Sequence, residues 1–400
     1  MSNGLWGKLP FPIVGMSPMD GVTDAACRFI AKKYGKADIS YTEFVSAEGL
    51  WRIKKRGEMD HKIWNELKYD ELERPVIAQL FGSDPDSFYE AAKILVEMGF
   101  DGIDINMGCP SPGLEKREGG AGLMRSRGRA KEVIEATRKG VVDRLEIASS
   151  STPRNDNVQI PVSVKTRLGS ATPDPEWWNF LANMELPAVA MHGRTFKQLY
   201  AGEADWDVLE EAGKVIRESG AKFLANGDVK KIMTGEEICI DSRLREYPCG
   251  NDREEEGVDS CPPTVSVPTE NRDLALLCCA RNDEVGFGDD RGCNDGRVVL
   301  TNGVERSIAN FDGVLIGRQA LGNPWVLRKD GYEPTRGEKF KVAIEHAINH
   351  EQIFPEHFLS VRKHLASYVK GLSDATELRK KLVMAENSVE VEKILSAEVE

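Results

Sequence analysis

One cysteine lies at a position where a thiol could take part in chemistry. The sequence alternates over residues 104–106 (DIN) as a buried strand would, and a turn of Gly108, Cys109 and Pro110 follows directly. A thiol with a pKa of about 8.5 is largely protonated at neutral pH and can act as a general acid. A cysteine can equally be a small buried hydrophobic residue. The turn alone leaves both interpretations open.

Polar or charged residues also end other short apolar runs of the chain. The eight ends carry Pro18, Met19 and Asp20; Thr42 and Glu43; Gln79; Asn106 with Cys109; Lys165 with Arg167; His192 with Arg194; Asn226, Gly227 and Asp228; and Gly317 with Arg318. A single residue of this kind is usually an ordinary loop residue, but eight run ends in succession are not expected by chance. In a barrel of parallel strands such ends surround one site, so we predict a functional rim.

The apolar runs themselves predict the fold. They cover residues 12–21, 39–48, 75–83, 102–110, 161–169, 188–195, 222–228 and 313–318, and amphipathic stretches such as 88–99, 129–141 and 206–220 separate them. Eight strands alternating with helices favour an α/β protein with a (β/α)8 TIM barrel over an open doubly wound sheet. No GxGxxG motif follows the first apolar run, and the sequence contains no GxxxxGK[ST] motif. The two absences argue against a Rossmann dinucleotide site and a P-loop, respectively.

Two connections are longer than one helix requires. Residues 140–160 are polar towards their end (ASSSTPRNDN) and indicate a surface loop. Between the seventh and eighth runs we predict an acidic insertion at about 236–308, which is either disordered or a small appended lobe, and its composition favours a poorly ordered segment. Its cysteines, Cys239, Cys249, Cys261, Cys278, Cys279 and Cys293, show no CxxC spacing and no histidine lies between them. We therefore expect free thiols and no metal site.

The end of the chain carries helical periodicity only. Stretches 339–351, 356–372 and 375–387 predict helices, so we expect a barrel domain over 1–332 and a small all-helical domain over 333–400. The basic positions that we expect to be exposed there are Arg362, Lys363, His364, Lys370, Arg379, Lys380 and Lys381. On charge alone they fit either a solvated helix surface or a surface that binds RNA.

The bulk properties limit the classes of partner. The net charge of −12 argues weakly against nucleic acid, but residues 236–310 alone contribute −9, which leaves −3 for the rest. No apolar run approaches the roughly 18 residues of a membrane span. The N-terminus lacks a basic start followed by an apolar core. We therefore expect a cytoplasmic protein without a membrane partner.

Two features of the rim predict an anionic ligand. The glycine turns at 226–228 and 317–318 bring backbone amides together where barrels often hold a phosphate, and Arg318 adds a fixed charge. Lys165, in the run SVKTRLG, has no acidic neighbour in sequence. Its partner is either the anionic ring of a reduced flavin or a rim carboxylate such as Glu43 or Asp104.

Longer motifs run through the chain in a fixed order. They are SPMDGVTD (17–24), TEFVSAEG (42–49), AQLFGSDP (78–85), GIDINMGCPSP (102–112), GGAGLM (119–124), PVSVKTRLG (161–169), MHGRTFKQLYAGEADWD (191–207), ANGD (225–228) and DGVLIGRQALGNPW (312–325). Together they resemble the tRNA-dihydrouridine synthase family, and NMGCP combined with HGRT and GxADW makes the resemblance specific. It is close over residues 10–232 and 310–327 and looser over 338–385.

The resemblance implies an FMN-dependent barrel enzyme with a helical tRNA-binding tail. The implied reaction reduces the C5–C6 double bond of specific uridines in the tRNA D-loop, and NADPH reloads the flavin. The implied FMN-binding residues are Pro18, Met19, Asp20, Gln79, Lys165, His192, Asn226, Gly227, Asp228, Gly317 and Arg318. Asn106, Arg167 and Arg194 are implied on the substrate side, and Cys109 as the proton donor to C5.

Two alternative functions stay open at this point. One is an FMN barrel oxidoreductase that acts on a small molecule, against which the basic helical tail argues. The other is a tRNA-binding protein with impaired catalysis, against which the presence of Cys109, Lys165 and His192 argues. We expect a monomer that binds no metal.

Overall fold

Eight parallel strands form the barrel that the apolar runs predict. The computed structural model describes residues 4–110, 119–151, 160–233 and 296–398. Its strands are β1 (Ile13–Met16), β2 (Ser40–Ser46), β3 (Val76–Phe81), β4 (Gly102–Asn106), β5 (Val162–Arg167), β6 (Ala188–His192), β7 (Lys222–Asn226), β8 (Val229–Met233), β9 (Arg297–Leu300), β10 (Glu305–Ser307) and β11 (Gly313–Ile316). All except β8, β9 and β10 join one sheet in the order β1-β11-β7-β6-β5-β4-β3-β2. The predicted barrel class is confirmed.

The sheet closes on itself between β1 and β2. Ile13 pairs with Gly313 of β11, and a parallel bridge joins Gly15 to Ile39, which lies directly before β2. A Cβ atom on Gly313 would lie 2.1 Å from the carbonyl oxygen of Ile13. Glycine is therefore required for this close approach. Closure brings the carboxyl ends of all eight strands into one ring.

Helices cover the barrel and begin at defined caps. They are α1 (Leu5–Lys8), α2 (Ala25–Gly35), α3 (Ala47–Arg56), α4 (Ile63–Glu66), α5 (Pro85–Glu97), α6 (Arg127–Ser151), α7 (Pro175–Ala182) and α8 (Trp206–Glu218). The side chains of Asp24, Asp84, Asp174 and Asp205 each accept a backbone N–H from the first turn of α2, α5, α7 and α8. Within the described ranges no helix is long and apolar enough to cross a membrane.

Apolar side chains pack on both faces of the sheet. The cluster inside the barrel consists of Trp6, Ile13, Ile39, Tyr41, Ile77, Ala188, Ala190, Leu224 and Leu315. A second cluster lies between strands and helices and includes the fully buried Phe88 and Trp177. Strands that are buried on both faces have nearly continuous apolar sequences. This explains why the strands could be predicted from the sequence.

The connection after β4 is more helical than predicted. Helix α6 continues to Ser151, so the predicted loop over 140–160 was wrong for residues 140–151. Val141 in this part of the helix is buried, and packing of one apolar face sustains a helix whose other face is polar. Residues 152–159 lie outside the described residues.

A small antiparallel sheet follows β7. Strand β8 pairs with β9, and β9 pairs with β10. The last residues of the predicted insertion at 236–308 therefore form β9 and β10. Residues 234–295, on which the predicted disorder and the six cysteines fall, lie outside the described residues.

Four helices end the chain: α9 (Arg336–Ile353), α10 (Arg362–Tyr368), α11 (Ala375–Leu382) and α12 (Ser388–Ser396). The predicted helix over 356–372 is shorter than expected, since a 3-10 turn over Phe358–Val361 precedes α10. The helices share a core with the barrel, in which Phe340 of α9 and Ile30 of α2 are buried. The prediction that His364 is exposed was wrong, because this side chain of α10 is 0% exposed.

Candidate active site

A cavity of about 610 Å³ opens where the carboxyl ends of the barrel strands meet. Most of the predicted rim residues line it: Pro18, Met19, Asp20, Asn106, Cys109, Lys165, Arg167, His192, Asn226, Gly227, Asp228, Gly317 and Arg318. Four predicted rim residues do not lie on the cavity wall and are buried instead: Thr42, Glu43, Gln79 and Arg194. The structure thus brings most of the predicted residues together around one cavity and leaves four of them off its wall.

Two buried side chains hold the turn that carries Cys109. The side-chain oxygen of Asn106 accepts the backbone N–H groups of Gly108, at 3.1 Å, and of Cys109, at 2.8 Å. Arg167 Nε donates to the carbonyl oxygen of Gly108 at 2.8 Å. The Cys109 carbonyl also accepts the backbone N–H of Ala121, which lies beyond the segment 111–118 that the structure does not describe. The backbone that carries the thiol at the cavity wall is therefore held from several directions.

A chain of hydrogen bonds supports Asn106 from behind. Its amide donates to the side-chain oxygen of Gln79 at 2.9 Å, and Gln79 donates to Asp104 at 2.7 Å. The Ser163 hydroxyl donates to the other Asp104 oxygen at 2.6 Å. Burial raises the pKa of Asp104 to about 6, and these hydrogen bonds oppose that rise. Gln79 therefore fixes the amide orientation of Asn106 that the Cys109 turn requires.

Lys165 and His192 place an unusual pair of groups on the cavity wall. Lys165 Nζ donates to Asn226 Oδ1 at 3.2 Å, and no ion pair with a carboxylate accompanies this bond within the described part of the chain. Burial, and then the Arg167 guanidinium, lower the pKa of Lys165 to about 8. Burial and the surrounding cations hold the pKa of His192 well below its usual value. Neither Glu43 nor Asp104 forms a salt bridge with Lys165, although the charge of Asp104 opposes the lowering of its pKa.

The turn after β7 is built on glycine and a buried ion pair. Gly227 has φ +127°, and a Cβ atom there would lie 2.7 Å from that of Ala204, so other residues are excluded. Asp228 accepts two bonds from Arg194, at 3.0 and 2.6 Å, and one from the Ala204 N–H at 2.7 Å. Arg194 also donates to the carbonyl of Gly202. Its guanidinium thus shapes the turn and does not face the cavity.

Tyr200 is a wall residue that the sequence analysis missed. Its ring is 60% exposed and lies 5.2 Å from the guanidinium carbon of Arg318 and 5.9 Å from that of Arg167. Exposed aromatic rings between arginines suit stacking with a nucleobase. Tyr200 lies in the loop after β6, several residues beyond the strand end at His192 where the apolar runs predict site residues. Its place within the motif over 191–207 was the feature of the sequence that could have identified Tyr200 as a site residue.

The fold and this cavity define an α/β-barrel enzyme with a thiol, a half-buried lysine and glycine turns around one site. The chain belongs to the dihydrouridine synthase family: the family model described as "Dihydrouridine synthase (Dus)" matches residues 15–241 and 296–399. The resemblance noted in the motifs is thereby confirmed, and the protein is an oxidoreductase of this family.

Individual relatives are distant but match along nearly their whole length. The chain is 26% identical over 402 residues to a "Probable tRNA-dihydrouridine synthase" of Staphylococcus aureus strain COL, covering 99% of this chain and 95% of the relative. It is 24% identical to "Probable tRNA-dihydrouridine synthase 2" of Bacillus subtilis strain 168, covering 99% and 96%. Among solved structures, morphinone reductase is similar with a TM-score of 0.40 and 12% identity, covering 84% of this chain and 91% of that one.

Proposed function

We propose that the protein is a tRNA-dihydrouridine synthase that reduces the C5–C6 double bond of specific uridines in the tRNA D-loop. In this proposal it uses bound FMN, takes its electrons from NADPH, and acts as a cytoplasmic monomer. The observation that carries the proposal is the Cys109 turn, which Asn106 and Arg167 hold at the wall of a cation-rich cavity. Family membership supports the same reaction.

The cavity residues fit a flavin mononucleotide. Gly227, Gly317 and Arg318 lie together on the wall and suit a phosphate, which needs a cation and an open backbone. Lys165 is a half-buried cation, and the buried His192 Nδ1 has no hydrogen-bond partner among the described residues. Both suit the polar edge of a flavin ring. When bound, reduced FMN supplies the hydride for C6. Further proposed FMN contacts are Pro18, Met19, Asp20, Asn226 and Asp228, with Gln79 acting through Asn106.

Cys109 has the properties of the proton donor. Hydride addition at C6 leaves enolate charge on the uracil, and a proton must then reach C5. A thiol with an ordinary pKa of about 8.5 holds its proton at neutral pH. His192 is a poor acid there, because its pKa is held low and its ring is neutral. The S–H bond of Cys109 breaks as the C5–H bond forms, and the thiolate regains a proton from water.

Five of the predicted basic residues near the C-terminal helices form the proposed tRNA surface, whereas Arg362 is half-buried and donates to the Ala385 carbonyl. Lys363, Lys370, Arg379, Lys380 and Lys381 are exposed. Lys380 pairs with Glu377 at 2.7 Å and Lys381 with Glu398 at 3.0 Å. Exposed pairs of this kind contribute little to stability, so these lysines are available to phosphates.

Replacing Arg379, Lys380 and Lys381 together by Ala is expected to weaken tRNA binding and to lower the salt dependence of the affinity. Three lost phosphate contacts would reduce the log–log salt slope by about 2–3. Binding is measured by filter retention between low and physiological salt. The matched control replaces Arg129, Lys131 and Lys139, which lie on α6 in the helical layer of the barrel. An unchanged slope in the first variant would place the tRNA elsewhere.

FMN affinity is expected to fall as pH rises above about 8. The pKa of Lys165 is lowered to about 8, so the side chain is charged below that pH and loses its charge above it. The dissociation constant of FMN should then increase by up to about tenfold per pH unit. The dissociation constant is measured by titrating FMN with the apoprotein and following the quenching of flavin fluorescence. In Lys165→Arg the decline should move to higher pH; an identical decline in both proteins would exclude Lys165 as its cause.

One assay separates the proposed activity from its alternatives. The purified protein is tested for a flavin spectrum and for dihydrouridine formation in unmodified tRNA with NADPH. We expect a yellow protein and dihydrouridine in the tRNA. A yellow protein that is inert on tRNA but reduces small enones would favour the small-molecule oxidoreductase. A colourless protein that binds tRNA would favour the binding protein without catalysis.

A further inference from the structure

A group of metal-binding side chains is buried between the barrel and the C-terminal helices. Cys27 lies on α2, His346 on α9 and His364 on α10, and one potential ligand atom from each lies within 4.8 Å of the other two. The three residues are 5%, 1% and 0% exposed. They are separate from the cavity at the strand ends, whose lining includes none of them.

The histidines of this group are not explained by ordinary core packing. His346 Nδ1 lies 3.1 Å from the Tyr368 hydroxyl, while its Nε2 is buried and has no hydrogen-bond partner within the described residues. Neither ring nitrogen of His364 forms a hydrogen bond of normal geometry within the described part of the chain. The backbone of Val22 lies close to the ring and stabilises the protonated form of one of its nitrogens. Buried polar atoms are normally paired. Each ring therefore offers one nitrogen to an ion.

We propose that Cys27, His346 and His364 bind a divalent transition-metal ion, of which zinc is the best match. Zinc prefers thiolate and imidazole ligands, and three protein ligands leave a fourth position for water. A tetrahedral site needs neighbouring ligand atoms roughly 3.3–3.8 Å apart, which small rotations of side chains in this cluster can reach. Tyr368 would accept the proton on His346 Nδ1 and so fix the orientation of the ring, as groups behind metal ligands commonly do.

The charges around the group also suit a cation. The Asp24 side chain accepts the Cys27 N–H at 2.8 Å, and its other oxygen lies 3.6 Å from His350 Nε2. One thiolate and the Asp24 carboxylate together balance a divalent ion. Burial, and then Asp24, raise the pKa of the Cys27 thiol in the protein alone; a bound metal deprotonates its thiol ligand. The other charged groups that act on Cys27 are Arg28 and Lys363, which lower the pKa of its thiol, and Glu43, which raises it.

Such an ion would connect the two parts of the molecule. Helix α2 begins at Ala25, shortly after the cavity residues 18–20, and α9 and α10 belong to the proposed tRNA-binding domain. A metal shared between α2 and these helices would fix the orientation of that domain on the barrel. The role is structural and independent of the reaction proposed for the cavity.

The test uses the full-length protein prepared without metal-affinity chromatography. We expect about one zinc per chain by elemental analysis, and a melting temperature of the metal-stripped protein that rises when Zn²⁺ is added. Cys27→Ser and His364→Asn should lose the metal, whereas Cys109→Ala should keep it. Absence of metal, together with no response to Zn²⁺, overturns the proposal, as does full retention of zinc in Cys27→Ser.

A second variant keeps the site intact and identifies the thiol. All cysteines except Cys27 are replaced by serine, which removes Cys109 and the six cysteines of 239–293, and Co²⁺ is added. A thiolate-to-cobalt charge-transfer band at one equivalent is expected. A band that is present in the parent protein but lost in this variant would assign the metal to another cysteine and contradict the proposal.

Discussion

Cys109→Ala is expected to retain bound flavin and to lose turnover on tRNA by a factor of about 10²–10⁴, the usual contribution of a positioned general acid. The side chain lies on the cavity wall, while its turn is held through backbone groups: the Cys109 N–H bonds to Asn106 and the Gly108 carbonyl to Arg167. Removing the thiol therefore leaves the turn in place. Turnover is measured as dihydrouridine formed per flavin.

The first half of the reaction serves as an internal control for this variant. Reduction of the bound flavin by NADPH does not involve the thiol and should proceed at the parent rate. A variant that forms dihydrouridine at the parent rate would exclude Cys109 as the acid. Slower flavin reduction with equally slow turnover would indicate a structural role for the residue.

Arg194→Met is expected to reduce the free energy of unfolding by about 3 kcal/mol, because it removes the hydrogen-bonded partner of the buried Asp228 carboxylate and leaves it the more distant Arg318, at 3.9 Å. The side chains of Arg194 and Asp228 are 3% and 9% exposed and are joined by two hydrogen bonds. The sequence placed Arg194 on the substrate side, whereas the structure places it behind the wall. The shift in the midpoint of urea unfolding measures the effect.

The matched control for this prediction is the double variant Arg194→Met with Asp228→Asn. An amide tolerates the loss of the guanidinium better than a buried charge does, so the double variant should regain part of the lost stability. Unchanged stability in Arg194→Met, together with weaker tRNA binding, would restore the interpretation of Arg194 as a substrate contact.

The strands and most of the rim could be predicted because the site residues of a barrel directly follow its strands in the sequence. A strand buried on both faces is an apolar run, and its last residues point into the site. That logic located Cys109, Lys165 and His192. It could not show that Gln79 lies behind Asn106, because that depends on the pairing of β3 with β4. It also missed Tyr200, which belongs to a loop.

The C-terminal helices show a different limit of sequence reasoning. His364 stands among basic residues and was expected to be exposed, but the packing of α10 buries it completely. Cys27 and His346 are far apart in sequence and carry no metal-binding spacing. Only the docking of α9 and α10 onto α2 brings the three side chains together.

The central claim is that the flavin held in this cavity passes its electrons to a uridine of tRNA. The most direct test is a single turnover without oxygen, in which the protein is reduced by NADPH, freed of excess nucleotide and mixed with unmodified tRNA. We expect the flavin absorbance to return to that of the oxidised form and one dihydrouridine to form per flavin oxidised. A flavin that stays reduced with tRNA, but is oxidised at once by a small enone, would contradict it.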